Sequence, residues 1–192
     1  MKLYVISGLA ADKRVFKHLR FPEAVEPVFL DWIAPQNNET LSSYAARLAQ
    51  KMDTKSPFAL LGLSMGGMVA VEISKVQQPV LTILVSSIPL SNQLPGFYKL
   101  AGKLYLYKLV PVSLIKKASM LKRYFAAESA EDKQTLRNVV IESDAGFLRW
   151  AMGAILKWEN EILPKPYFHI HGSSDEILPI KNYDKERIAY VK

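Results

Sequence analysis

The residues best suited to chemistry stand at Gly62-Leu63-Ser64-Met65-Gly66, with another glycine at Gly67. A serine hydroxyl becomes a nucleophile once a base takes its proton. Glycines two places either side let the chain turn sharply enough to lift that hydroxyl clear of a sheet edge. Here the serine falls where an apolar run, Phe58 to Leu63, gives way to a helix-like one, Met65 to Lys75. Amides at the start of such a helix face the serine and favour a developing oxyanion. A glycine-rich turn with an ordinary capping serine would use the same residues. The base has three candidates, His18, His169 and His171. His18 lies in a basic stretch and reads as a surface or cap-facing residue. His169 and His171 alternate along one strand-like run and read as packing or hydrogen-bonding residues.

With its strand–turn–helix context, this sequence resembles the α/β-hydrolase family, as a small serine hydrolase with a helical cap. The resemblance covers essentially the whole chain, beginning at what would be the third strand of the full fold. It implies Ser64 as the nucleophile and the Met65 N–H as one oxyanion donor. Ser7-Gly8-Leu9-Ala10-Ala11-Asp12 stands where the family commonly has a His-Gly loop, which implies the main chain of Leu9 as the second donor. Ser7 departs from the common histidine. His171-Gly172-Ser173-Ser174-Asp175-Glu176-Ile177-Leu178-Pro179 resembles the family's acid loop. Asp175 is then the residue that orients a catalytic imidazole, and Glu176 sits one place off.

The family places its base after the acid, just beyond the last strand, whereas this sequence stops at Lys192. Two readings follow. Either a C-terminal segment bearing the histidine is missing, or the protein is a non-catalytic relative that keeps the pocket. An exposed final strand and an uncovered sheet face favour the missing segment. Without a base, turnover would fall on the order of 10⁶-fold. With one, Ser64 would attack an ester, thioester or amide carbonyl, and water would release the acyl group. No phosphate-binding loop, dinucleotide fingerprint or metal-ligand spacing occurs, so no cofactor and no metal are expected.

The elements that must position these residues alternate along the chain. Lys2 to Ser7, Val28 to Trp32, Phe58 to Leu63, Val80 to Ser86, Tyr167 to His171 and Arg187 to Val191 read as strands. Their mostly continuous apolar runs suit a parallel sheet buried on both faces. Between them, Leu41, Tyr44, Ala45, Leu48 and Met52 keep a helical spacing behind a cap at Thr40. The stretch 89–161 has no convincing strand. Pro111 opens a stripe of Leu114, Ala118, Leu121 and Phe125; Ser129-x-x-Asp132 resembles a capping box; Phe147, Ala151, Ala154, Ile155 and Trp158 make a broad apolar face. The expected fold is therefore α/β and α/β-hydrolase-like: a mostly parallel sheet of about six strands, helices on both faces, and a helical cap after the fourth strand. Residues 1–192 form one domain in this reading, with 89–161 as the cap.

Composition narrows the class. With 49% hydrophobic residues the chain is not disordered, and with no cysteine it has neither disulfides nor a thiolate nucleophile. A start of MKLYVISGLAAD reads as a buried strand and loop rather than a signal peptide, and no run is long enough to span a bilayer. A cytoplasmic protein is expected. The net charge of +7 is concentrated: Lys99, Lys103, Lys108, Lys116, Lys117, Lys122 and Arg123 occur between Phe97 and Ala127 with no acid, and the other 18 basic residues match the 18 acidic ones. A solvated cap face explains this, as would steering of anionic substrates or contact with an anionic membrane surface. No nucleic-acid-binding motif is present. The expected partner is a small carbonyl substrate, apolar or anionic. Cap aromatics Phe97, Tyr98, Tyr105, Tyr107, Tyr124 and Phe125 suit an apolar acyl group or plain helix packing.

Overall fold

A computed structural model of the chain describes residues 1–117, 129–173, 175 and 177–179, and the backbone of 188–191. Six strands form one sheet: β1 (Lys2–Ile6), β2 (Glu26–Leu30), β3 (Phe58–Leu63), β4 (Leu81–Val85), β5 (Tyr167–Gly172) and β6 (Ile188–Val191), in the order β2-β1-β3-β4-β5-β6. Every neighbouring pair is parallel. Parallel pairing forces each connection back across a face, so all the strands end on one edge. The register fixes what meets there: Ile6 pairs with Gly62, Gly62 with Leu84, and Leu84 with His169. The C-terminal ends of β1, β3, β4 and β5 therefore lie close together on that edge.

β2 starts at Glu26, two residues earlier than the apolar run. The Glu26 N–H donates to Met1 O at 3.0 Å, and an edge strand tolerates a charged residue and Pro27 in its ladder.

The two faces are covered differently. On one, Tyr4, Ile6, Leu60 and Leu84 pack with α1 (Leu41–Ala49) and α2 (Met65–Gln77). Thr40 caps α1 reciprocally with Ser43, as its spacing suggests. Met65 through Ile73 are all buried, because α2 is wedged between the sheet and α1. On the other face, Leu3, Val5, Ala59 and Leu61 pack with Phe16 from a 3-10 turn, Lys13–Phe16, while Leu81, Ile83 and Val85 stay partly buried.

Between β4 and β5 come α3 (Gly96–Lys103), a helical segment over 112–117, α4 (Ala130–Glu142) and α5 (Ala145–Leu156). Two polar anchors tie this insertion down, and a third joins its two ends. Trp150 stacks on Tyr44 with centroids 4.3 Å apart and donates to Glu39 O at 2.8 Å. Trp158 Nε1 donates to the buried Glu72 carboxylate at 2.8 Å, and Asn160 Nδ2 donates to Pro89 O at 2.7 Å.

Ser129 does cap α4, accepting from Asp132 N at 3.0 Å. The Asp132 carboxylate, however, accepts from the Ser129 hydroxyl, Lys17 and His18, which cross from the 3-10 turn region. Tertiary partners outcompete the local main chain for it. In the Leu114 stripe, the buried residue is its neighbour Ile115, and Leu114 is more than half exposed. Ala118, Leu121 and Phe125 lie outside the described residues.

Candidate active site

Ser64 joins β3 to α2 with φ 52° and ψ −118°, a conformation that a residue with a side chain rarely adopts. Such a backbone costs about 1–3 kcal/mol and persists only where its surroundings over-determine it. Here they do. The Ser64 N–H donates to Val85 O at 2.9 Å, the Gly67 N–H donates to Ser64 O at 2.9 Å, and the Ser87 hydroxyl donates to Ser64 O at 2.6 Å. Glycine is required around the turn by close approach. A Cβ at Gly62 would strike the main chain of Gly66 and Gly67, and one at Gly66 would strike the carbonyls of Ile6 and Ser7. Ser64 makes no side-chain capping bond to α2, which distinguishes it from an ordinary capping serine.

The loop after β1 crosses the same edge. Ser7 is buried and its hydroxyl donates to Ala11 O at 2.8 Å; Trp32 Nε1 donates to the same carbonyl at 3.2 Å. Ser7 thus braces the loop from within. Leu9 from this loop and Met65, the first residue of α2, border one cavity together with Ser64. As the opening residue of a helix, Met65 has no intrahelical acceptor for its N–H.

Asp175 follows β5. Its N–H donates to Gly172 O at 3.1 Å, and its Oδ1 accepts from the N–H groups of Ile177 and Leu178 at 2.8 and 3.0 Å. Its Oδ2 lies 3.4 Å from His171 Nε2. Burial pushes the carboxyl upward, but the His171 contact and the two amides outweigh it, so its pKa sits below the ordinary value.

His171 is fully buried, with Nε2 2.9 Å from Leu178 O. That carbonyl only accepts, so Nε2 carries the proton, shared between the nearer Leu178 O and the farther Asp175. His171 Nδ1 lies 3.1 Å from His169 Nε2, within hydrogen-bond distance. Burial and the neighbouring His171 ring push the His169 pKa down to about 4, against a hydrogen bond to the Ser87 main chain. Both rings brace the acid loop. His18 is exposed and bonds Asp132 Oδ1 at 2.8 Å.

Two cavities meet at Ser64. One, of about 380 Å³, is walled by Leu9, Met65, Met68, Tyr98, Met152 and Ile155, among other apolar residues. The other, of about 290 Å³, is bordered by Ser64, Ser86, Asp175, Val15, Leu136 and Ile177. Ile177 and Leu178 line both. The four residues singled out from the sequence thus border this pair of adjoining cavities, Leu9 and Met65 the first and Asp175 the second.

No protein-family model matches the sequence, and no curated protein matches it. Solved structures do. MenH from S. aureus matches with a TM-score of 0.71 at 17% identity, over 99% of this chain and 84% of that one. A thermophilic esterase from Thermogutta terrifontis matches with a TM-score of 0.72 at 15% identity, over 100% of this chain and 80% of that one. The RedJ thioesterase of Streptomyces coelicolor matches at 0.60 and 15%, over 99% and 79%. This is an α/β-hydrolase fold.

Within that fold, the sequence does not point to Ser87, and it reads His171 only as a packing or hydrogen-bonding residue. Ser87 holds the strained carbonyl of Ser64, and His171 holds the loop of Asp175. The signal for Ser87 is Ser86-Ser87 at the end of β4, one strand over from the turn. His171 carries a weaker one: a histidine directly before the glycine that ends β5.

Proposed function

We propose that this chain is a serine hydrolase acting on an ester, thioester or amide carbonyl through Ser64. The observation that carries this reading is the strained backbone of Ser64, held by main-chain and Ser87 hydrogen bonds at the meeting point of two cavities. A strained serine that caps nothing is best explained by chemistry at its hydroxyl. The Ser64 oxygen attacks the carbonyl carbon while a base takes the hydroxyl proton. The N–H groups of Leu9 and Met65 hold the oxyanion, the leaving group departs with the proton, and water then releases the acyl group.

Asp175 supports the base. Its Oδ1 is committed to two amides, while Oδ2, 3.4 Å from His171 Nε2, keeps a lone pair to orient a second imidazole. The three histidines of this sequence are engaged elsewhere: His169 and His171 with each other, Ser87 and Leu178, and His18 with Asp132. The 290 Å³ cavity borders both Ser64 and Asp175, so a base imidazole belongs there.

Among the described residues, the wall of the 380 Å³ cavity carries no charged side chain. Apolar walls favour an uncharged acyl group over an anionic one. The esterases and thioesterase among the structural neighbours are compatible with this chemistry.

The engaged histidines favour a second reading, a pocket protein that binds an apolar ligand without turnover. Incubation of the 192-residue chain with a p-nitrophenyl acyl ester, with and without added imidazole, separates the two. A serine hydrolase should give an acyl adduct on the Ser64 peptide, faster with imidazole and absent from Ser64→Ala. Saturable ligand binding with no adduct under either condition supports the second reading.

A further inference from the structure

The outward face of α3 is apolar, the reverse of an ordinary surface helix. Phe97, Leu100 and Leu104 fall along one side and are each more than half exposed. The other side docks: Gly102 meets the Leu156 main chain, and Tyr98 lines the 380 Å³ cavity. The chain after α3 continues the pattern, with Leu106 exposed and Leu109 at 80% exposure. Single exposed leucines need no explanation, but a run of large ones within one short segment does.

Lysines are interleaved with them. Lys99, Lys103, Lys108, Lys116 and Lys117 occur in a stretch with no aspartate or glutamate. Elsewhere only some cations meet a carboxylate, as in Lys2–Asp53, Arg47–Glu39 and Lys75–Glu72. Among the described residues, these five lysines have no carboxylate partner. Lys108 lies over the Tyr105 ring at 5.0 Å, and Lys116 donates to Ile141 O.

We propose that this surface docks on an anionic lipid bilayer. Phe97, Leu100, Leu104 and Leu109 enter the boundary between headgroups and acyl chains, while the lysines meet lipid phosphates. Protruding apolar side chains separated by cations suit a fluid, negatively charged interface better than a rigid protein surface, which would need a matching pit for each one. Contact is peripheral: no helix among the described residues is long and apolar enough to cross a membrane. The same segment supplies Tyr98, Val110 and Leu114 to the wall of the cavity that reaches Ser64. An apolar acyl group can then pass from bilayer to cavity along one apolar surface.

Docking does not depend on hydrolysis, so Ser64→Ala should bind vesicles as the parent chain does. The test is co-sedimentation of the full chain with phosphatidylcholine vesicles and with equimolar phosphatidylcholine–phosphatidylglycerol vesicles. Binding to the anionic vesicles should be at least about tenfold stronger and should weaken severalfold at about 1 M salt. Replacing Lys103 and Lys108 by alanine should lower it roughly tenfold or more. Leu104→Ser with Leu109→Ser should lower binding at both salt concentrations. The salt series on the unmodified chain decides the matter even if a variant misfolds. Equal binding to both vesicle types, no binding, or a dimer that buries this face and leaves vesicles untouched would overturn the proposal.

Discussion

At the residue scale, the site depends on a few atoms that allow no growth. Gly66→Ala places a methyl group against the carbonyls of Ile6 and Ser7. It should cost about 3 kcal/mol, read as a lowered urea midpoint, because rigid main chain lies on the far side of the contact. His169 makes stability depend on pH. The ring is buried with a pKa near 4 in the fold against an ordinary 6.5. Between those values the unfolded chain binds the extra proton, so stability falls as pH drops through that window and levels off below it. Each pH unit crossed in that window removes about 1.4 kcal/mol, so the whole loss should be of order 3 kcal/mol. Asp175, held below its ordinary value, extends the same acid limb to lower pH. Urea midpoints from neutral pH down to about 4 measure this, and His169→Asn should flatten the upper part of the limb. A flat profile in the parent chain would contradict a neutral buried His169.

At the element scale, the inserted helices are tied to the body by Trp150 and Trp158, and Asn160 joins the two ends of the insertion through Pro89 O. Trp158→Phe shrinks the buried ring and removes a donor from buried Glu72, which retains Lys75 at 2.6 Å. It should cost about 1–3 kcal/mol in thermal or urea unfolding. Much of the element plan could be read in advance. Continuous apolar runs such as Phe58–Leu63 leave little choice but a buried parallel strand, and the glycines around Ser64 mark its turn. What escaped had partners distant in sequence. Asp132 resembles a local cap residue, yet its carboxylate answers to Lys17 and His18. Ser87 resembles an ordinary strand end until the register brings it beside Ser64. The outward apolar face of α3 was hidden for the opposite reason: a helical apolar stripe reads as core, and sequence alone does not say which side the sheet lies on.

At the scale of the whole molecule, parallel topology gathers the loop after β1, the turn at Ser64, Ser87 and the loop of Asp175 on one edge of the sheet. The inserted helices roof that edge with apolar side chains. In the proposed hydrolase the cavity reaching Ser64 receives the acyl group, and among the described residues its wall carries no charged side chain. A neutral alkyl fluorophosphonate should label Ser64 faster than an analogue ending in a carboxylate, since burying that charge without a partner is costly. Labelling at Ser64 tests the account most directly. The full chain is treated with the alkyl fluorophosphonate, with imidazole present, and digested for mass spectrometry beside Ser64→Ala. The expected result is a phosphonyl adduct on the peptide containing Ser64 and none on the variant. An unlabelled Ser64, or equal labelling of parent and variant at another serine, would contradict it.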